Sequence, residues 1–209
     1  MLNVVNKKNF VYIGAAIAAL VLLRSLTNRS SFKKKIVKIA NDELKKWQGK
    51  KEGNNTTIQE LRNYWKQGAN VTASDNYYIN NAWSAAFISW IMKTAGAGDK
   101  FKYSARHSEY IQAAKQNRKN NVKSFKAFRK NEQPVKVGDL ICYPRQNGVS
   151  YDTPGNYYAH CDLITEIKNN KAVTIGGNVS DTVKKSTYNL DADNKVTTEK
   201  VHAIIKTYL

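Results

Sequence analysis

Three residues of this sequence have side chains suited to nucleophilic catalysis. Ser84 lies near the start of the apolar stretch AWSAAFISW (82–90), His160 opens the stretch AHCDLITEI, and Asn178 follows two glycines in TIGGNVS. A serine nucleophile needs a base within hydrogen-bond reach, and that base needs a partner that orients it. The residue types therefore predict a site in which Ser84 attacks, His160 takes the proton and Asn178 orients His160.

The elements that must position these residues change in type along the chain. Helical patterns cover 30–47, 58–65, 83–95 and about 105–117, and Gly96 is expected to end the third helix. Extended patterns cover 137–143, 159–167, 172–175, 183–188 and 201–208, with a hairpin turn at Asn169-Asn170. Helices followed by antiparallel strands predict an α+β domain. Ser84 would then face the sheet from a helix N-terminus, whose free N–H groups suit an oxyanion.

The N-terminal segment has a composition of its own. Residues 10–23 read FVYIGAAIAALVLL between Lys8 and Arg24, a run shorter than the roughly 20 residues that cross a bilayer. No clear small-x-small cleavage site follows the apolar run, which Arg24 interrupts, so we expect an uncleaved single-pass anchor; a signal peptide and a buried core helix are the alternatives. The predicted organisation is an anchor and linker at 1–29 and one domain at 30–209, helical over 30–130 and sheet-forming over 134–209.

The charge balance limits the choice of partners. The chain has 34 Lys and Arg against 16 Asp and Glu, a formal net charge of +18. This balance favours an anionic partner such as a cell-wall polymer, lipid head groups or nucleic acid, although a solubilising basic surface explains it equally well. The sequence has no zinc-finger spacing or helix-turn-helix signal, so we expect no sequence-specific nucleic-acid binding. With no C-x-x-C pair, we also expect no structural zinc site, and we predict no cofactor.

Several motifs together resemble a known family. W-x-A-A-F-I-S-W, G-D-L-I, H-x-D-L-I and T-I-G-G-N, in this order, are similar to the CHAP amidase/peptidase family, a branch of the papain-like cysteine hydrolases. The resemblance covers roughly residues 32–209. It is closer still to an uncharacterised domain-of-unknown-function relative of CHAP, which the chain resembles in AWSAAFISW, in YSARHSEYI (103–111), in HCD and in IGGN.

The resemblance implies a papain-like fold and cleavage of peptidoglycan by an amidase or endopeptidase, as in phage lysins and bacterial autolysins. By position, Ser84 stands at the family's cysteine, His160 at its general base and Asn178 at the residue that orients the base. Gly176 stands where many members have a glutamate. The expected function is therefore a membrane-anchored peptidoglycan hydrolase of phage or bacterial origin, located in the bacterial envelope or a virion membrane.

The serine leaves an alternative open. A cysteine at a helix N-terminus ionises before it attacks, whereas a serine must lose its proton during the attack. The protein is then either a serine-nucleophile hydrolase or a catalytically inactive wall-binding or virion-structural membrane protein. The expected partners are peptidoglycan or another anionic cell-wall polymer, membrane lipid through residues 10–23, and virion or envelope proteins. The basic residues after the anchor favour a cytoplasmic domain, which conflicts with a wall function.

Further side chains are candidates for the same cleft. The candidates for substrate binding are Tyr78, Trp83, Tyr103, Ser104, His107, Arg145 and Asp162. The resemblance implies that Tyr103, Ser104 and His107 border the cleft, while Arg145 could bind a substrate carboxylate. The tyrosines and Trp83 are equally plausible as core aromatics. The long loop 144–158 is also expected to line a site.

The residues around His160 have alternative roles. Asp162 shares the face of His160 on the strand and could replace Asn178 as its orienting partner. A metal at this pair would need a third ligand that the sequence does not supply, so no metal is predicted. Cys161 should point away from His160, and it is either buried packing or a cross-strand partner of Cys142.

Overall fold

The computed structural model of the protein describes residues 31–209. The predicted anchor at residues 10–23, and the rest of segment 1–29, lie outside the described residues. Within 31–209, no helix combines the length and the apolar character needed to cross a membrane.

The helices form the first half of the described chain. They are α1 (31–46), α2 (Ile58–Arg62) continued by a π-helix (Asn63–Gly68), α3 (Asp75–Asn80), α4 (Ser84–Thr94), a short 3₁₀ helix (Gly98–Lys100) and α5 (His107–Lys119). The prediction for α4 is confirmed, including its end, where Gly96 adopts a φ of +89°.

The second predicted helix continues beyond its expected end. We expected it to stop at residue 65, but the π-helix carries it through Gly68. A Cβ atom on Gly68 would lie 2.5 Å from the backbone oxygen of Ala86 in α4. The π-helix can therefore pack this closely on α4 only because residue 68 is a glycine.

In the part of the chain that the structure describes, six strands form one antiparallel sheet. They are β1 (Phe125–Phe128), β2 (Leu140–Pro144), β3 (Ala159–Lys168), β4 (Lys171–Gly176), β5 (Lys184–Asn189) and β6 (Ala203–Thr207), in the spatial order β1-β6-β2-β3-β4-β5. The α+β class is confirmed, as is the β3–β4 hairpin, whose Asn169 and Asn170 both have positive φ values. Strand β1 was not predicted. It lies in the part expected to be helical and is paired with β6 at the edge of the sheet.

The core is divided between the two faces of the sheet. The larger cluster joins α1, α4 and α5 to one face, and a smaller cluster covers the other. Helix α4 is buried on most sides, as its all-round apolar sequence predicts. Next to α4, Trp47 stacks on Trp83 with ring centroids 4.8 Å apart, and both rings are buried. Ser84 therefore begins a helix that its surroundings hold firmly in place.

Candidate active site

Ser84 is the first residue of α4 and lies in a largely buried position. Trp83 occupies the N-cap position, and Ser84 retains 7% of its exposure. The Oγ atom of Ser84 lies 2.7 Å from Nε2 of His107. The first N–H groups of a helix have no intrahelical acceptor, so the start of α4 offers donors and a partial positive charge beside Oγ. This arrangement suits a nucleophile whose reaction creates an oxyanion.

His107 begins α5 and contacts Ser84 directly. Its Nδ1 atom is hydrogen-bonded to the hydroxyl of Tyr110, one turn along the same helix. If Nε2 accepts the Ser84 proton, Nδ1 carries the ring proton and donates it to Tyr110. Burial lowers the pKa of His107 well below its ordinary value, and electrostatic interactions with His160 and Arg145 lower it further. The imidazole is therefore neutral near pH 7, as a general base must be.

Two serines attach the start of α5 to α4. The hydroxyl of Ser89 donates to the backbone oxygen of Ser104 at 2.8 Å and accepts from the Ser104 N–H at 3.0 Å. The side chain of Ser104 then accepts from the N–H of Arg106, the residue before His107. These contacts hold the imidazole of His107 opposite Ser84.

His160 belongs to a second buried pair behind His107. The two imidazole rings have centroids 5.2 Å apart. Nε2 of His160 is bonded to Oδ1 of Asp162 at 2.8 Å, and the hydroxyl of Tyr188 donates to Oδ2 of Asp162 at 2.6 Å. Asp162 thus orients His160, which matches the alternative that the strand periodicity left open.

Asn178 does not make the contact expected of it. The residue lies just beyond β4 with a φ of +55° and is half-buried. Among the described residues, no side-chain hydrogen-bond partner of Asn178 is found, and the acceptor next to His160 is Asp162. Asparagine is among the residues that tolerate a left-handed backbone, so its place after Gly177 has a conformational reason.

The backbone at Gly176 leaves room for Asp162. A Cβ atom at position 176 would lie 1.9 Å from Oδ1 of Asp162 and 3.1 Å from Nε2 of His160. The carboxylate of Asp162 therefore fills the space that a longer side chain at 176 would need. An acidic group is still present beside His160, but it comes from β3 instead of β4.

A cavity of about 410 Å³ opens onto Ser84 and His107. Trp65, Tyr77, Arg106, Gln146, Tyr157 and Tyr158 also line it. Tyr77 and Tyr158 are 40% and 77% exposed, which is unusual for large aromatic side chains in this domain. Tyr157 and Tyr158 belong to the loop that was expected to line a site.

A family model described as "Uncharacterized protein conserved in bacteria (DUF2272)" matches residues 36–208. The chain belongs to the DUF2272 family. The expected kinship with a domain-of-unknown-function family is thereby confirmed. No curated protein sequence matches the chain.

Solved structures give a distant likeness to this DUF2272 member. "The crystal structure of Ly7917" is 13% identical with a TM-score of 0.39, and the match covers 72% of this chain and 62% of that one. "The crystal structure of Ly7917 with the hydrolyzing product of MDP" is 12% identical with a TM-score of 0.36, covering 72% of this chain and 63% of that one. The matched region is less than two thirds of each of the two solved chains.

Most other residues predicted for substrate binding in the DUF2272 domain lie outside this cavity. Tyr78 is buried, and its hydroxyl bonds the backbone of residues 71 and 73. The indole N–H of buried Trp83 donates to Glu52, and the hydroxyl of Tyr103 donates to the backbone oxygen of Gly98. Burial and the charge of Asp162 raise the pKa of Tyr143, and exposed Arg145 partly offsets this rise through its charge and a hydrogen bond. These four side chains have structural contacts instead of a place at the cavity.

Tyr110 and Arg106 were not predicted as site residues of the DUF2272 domain. Both flank His107 in the motif SARHSEY, so the spacing i to i+3 on a helix could have indicated Tyr110. Burial and the Asp162 charge raise the pKa of Tyr110 well above its ordinary value, so its hydroxyl stays protonated. Arg106 is exposed at the cavity.

The two cysteines of the DUF2272 domain form a disulfide. Cys142 and Cys161 are directly opposite each other on β2 and β3, with Cα atoms 4.1 Å apart. Cys161 is thus a structural residue beside His160. Within residues 31–209, no cluster of three or more His, Cys, Asp or Glu side chains could hold a metal ion.

Proposed function

We propose that this protein is a peptidoglycan hydrolase that cleaves an amide bond by acyl transfer through Ser84. The observation that carries the proposal is the 2.7 Å contact between Oγ of Ser84 and Nε2 of His107 at the N-terminus of α4, beside an open cavity. The similarity of W-x-A-A-F-I-S-W, G-D-L-I, H-x-D-L-I and T-I-G-G-N to the CHAP amidases and peptidases supports peptidoglycan as the substrate class.

In the proposed reaction, Oγ of Ser84 attacks the amide carbonyl while Nε2 of His107 takes the hydroxyl proton. The tetrahedral oxyanion is stabilised by the free N–H groups at the start of α4. His107 then donates its proton to the leaving amine, so that an acyl ester remains on Ser84. A water molecule, deprotonated by His107, hydrolyses the ester and restores the enzyme.

Tyr110, His160 and Asp162 act as positioning residues in this mechanism. The hydroxyl oxygen of Tyr110 accepts a hydrogen bond from the Nδ1–H group of His107. This bond selects the tautomer of His107 in which Nε2 carries no proton. The buried carboxylate of Asp162 holds the His160 ring in place behind His107. The sequence-based assignment of His160 as the base remains the alternative, and substitution of each histidine separates the two.

The cavity lining suits a substrate with both sugar and peptide parts. The exposed rings of Tyr77 and Tyr158 offer flat apolar surface at the mouth, against which a sugar ring can pack. The guanidinium of Arg106 makes no ion pair with a described residue, so it is available for a carboxylate of the stem peptide. Both features favour a muropeptide over an unmodified polypeptide.

The test uses the full chain and peptidoglycan from several bacteria, with released fragments identified by mass spectrometry. We expect the wild-type protein to release fragments, Ser84→Ala to release none, and Ser84→Cys to retain part of the activity because a thiolate can replace the alkoxide. Activity that survives in Ser84→Ala would overturn the mechanism. If the wild-type protein sediments with the wall without cleaving it, the inactive wall-binding function replaces this proposal.

The membrane anchor at residues 10–23 is part of the proposal, as is the location in a bacterial envelope or virion membrane. The supporting observation is the apolar run itself. Cell fractionation of the full chain and of a variant that lacks residues 1–29 tests it. We expect only the full chain to sediment with membranes after a wash in high salt, which removes proteins held by charge alone.

A further inference from the structure

A second groove, of about 830 Å³, lies away from the proposed active site. One wall is formed by the C-terminal end of α1 and the turn that follows it, and the other by Ser180 and residues 182–185, which lead into β5. Leu44, Trp47 and Val183 provide apolar lining. None of the residues that line the active-site cavity also lines this groove.

The charge of the groove is entirely positive. Five of its twelve lining residues are lysines and none is acidic. Lys51 lies 3.9 Å from the carboxylate of Asp181, which does not line the groove. The other four lysines, which form no ion pair with a described residue, are Lys45, Lys50, Lys184 and Lys185. Like charges gathered around one concave surface repel each other, and an anionic ligand relieves that repulsion.

The shape and lining of the groove narrow the class of anion. Lysine ammonium groups bind phosphate as point charges, without the paired geometry by which arginine holds a carboxylate. Proteins that bind single-stranded nucleic acid also present exposed aromatic rings for base stacking. The aromatic ring that lines this groove belongs to Trp47, which is 1% exposed. A phosphodiester chain without bases therefore fits the groove better than a nucleic acid.

The groove is also connected to the proposed active site through the core. Trp47 stacks on Trp83, the residue directly before Ser84. A ligand in the groove would thus bind to the same rigid aromatic layer that supports the start of α4. The groove and the candidate active site therefore share one buried aromatic layer.

We propose that this groove binds a linear poly(polyol phosphate) of the bacterial cell wall and holds the domain against its substrate. The choice of a wall polymer as the source of the phosphodiester rests on the proposed function. The binding itself does not depend on Ser84, so it is measured separately from hydrolysis.

The experiment measures binding of the full chain to fluorescent poly(glycerol phosphate) at several sodium chloride concentrations. One variant replaces Lys45, Lys50, Lys184 and Lys185 with Gln. The control replaces four exposed lysines outside the groove, Lys34, Lys35, Lys66 and Lys119, and so makes the same change in net charge. Circular dichroism verifies that both variants are folded.

We expect the groove variant to bind at least tenfold more weakly at about 0.15 M salt, and the control to change by less than threefold. The binding constant K decreases as salt increases, and each lysine–phosphate contact adds about 0.7 to the steepness of log K against log salt. If all four lysines contact phosphates, this slope becomes shallower by about 3 in the groove variant. If the groove variant and the control lose the same amount of affinity, the proposal is overturned, because the polymer then binds to the basic surface in general and not to the groove. Equal affinity for a single-stranded DNA of matched charge would overturn the preference for a wall polymer.

Hydrolysis of peptidoglycan stripped of phosphate polymers distinguishes failure of this inference from failure of the proposed function. We expect the groove variant to cleave stripped peptidoglycan at the wild-type rate. On intact walls, which carry the phosphate polymer, we expect the groove variant to cleave more slowly than the wild-type protein. If the wild-type protein binds the polymer in the groove but cleaves nothing, the groove inference stands and the hydrolase proposal fails.

Discussion

The hydroxyl of Ser84 and the imidazole of His107 meet at 2.7 Å although 23 residues separate them in the chain. Each is the first residue of its helix, so the contact joins the N-termini of α4 and α5. A helix N-terminus carries partial positive charge, which favours an anion at Ser84 and opposes protonation of His107. In the proposed mechanism, the same geometry stabilises the oxyanion and keeps His107 neutral before reaction.

The first prediction concerns which histidine is the base. We expect His107→Gln to lower kcat by about 10²–10⁴-fold, because it removes the group that takes the Ser84 proton. His160→Gln should lower kcat by about tenfold, because His160 acts through His107. Steady-state kinetics on a soluble muropeptide measures both. The larger loss in His160→Gln would restore His160 as the general base, as the sequence alone suggested.

The second prediction is the pH dependence of activity. The pKa of His107 is lowered by burial, by His160 and by Arg145, so its neutral form persists well below pH 6.5. We expect kcat/KM to stay constant from pH 8 down to about 6.5 and to fall only at lower pH. A profile of kcat/KM against pH checks this. An acid limb centred above 6.5 would exclude His107, in this environment, as the essential base.

The third prediction is the pH dependence of stability. Unfolded His107 binds a proton near pH 6.5, whereas the folded protein binds it only at lower pH, so the unfolded state holds more protons in between. The free energy of unfolding should therefore decrease as pH falls below 6.5, by up to about 1.4 kcal/mol per pH unit for this group. Burial also lowers the pKa of His202, which adds to the slope.

Urea unfolding at pH 7 and at several lower values measures that decrease. We expect His107→Gln to reduce the slope, because glutamine does not titrate. His202→Gln should also reduce the slope of the free energy of unfolding against pH, because it removes the second histidine whose pKa burial lowers. If the slope is the same in wild type and His107→Gln, His107 has the same pKa in the folded and the unfolded protein, which contradicts the prediction.

The fourth prediction tests the space next to Asp162. In Gly176→Ala the new Cβ would lie 1.9 Å from Oδ1 of Asp162, so the carboxylate must move and its bond to His160 weakens. We expect a loss of about 1–3 kcal/mol in the free energy of unfolding. The NMR signal of the His160 ring proton should also shift as its acceptor moves.

Gly68→Ala is the matched control for this substitution. Its Cβ meets the backbone of α4 at 2.5 Å, so it should destabilise the protein as well. It does not touch Asp162, and we therefore expect the His160 signal to stay in place. Wild-type stability and an unchanged His160 signal in Gly176→Ala would contradict the described packing.

The fifth prediction concerns the disulfide. The bond between Cys142 and Cys161 closes a loop of 19 residues, for which loop-closure entropy gives about 3 kcal/mol of stabilisation. We expect a reducing agent to lower the urea midpoint of the wild-type protein accordingly. The double variant Cys142→Ala/Cys161→Ala should show no response to the reducing agent. An equal response in wild type and double variant would argue against the bond.

Features set by local patterns could be predicted from the sequence. The apolar run of α4 with Gly96 after it, the Asn-Asn hairpin and the α+β class all depend on residues that are close in the chain. The period of two along a strand was enough to place Asp162 on the face of His160. Each of these follows from backbone geometry that neighbouring residues determine.

Only the tertiary structure decided which groups meet across the domain. The contact of His107 with Ser84 depends on how α5 packs against α4 through Ser89 and Ser104, which no local pattern encodes. The Cys142–Cys161 bond likewise depends on the register of β2 and β3. Such contacts arise from the packing of distant segments, whose geometry is set by the whole core. The sequence by itself thus determined the helix that carries Ser84 and the class of fold, and the packing determined which histidine contacts Ser84.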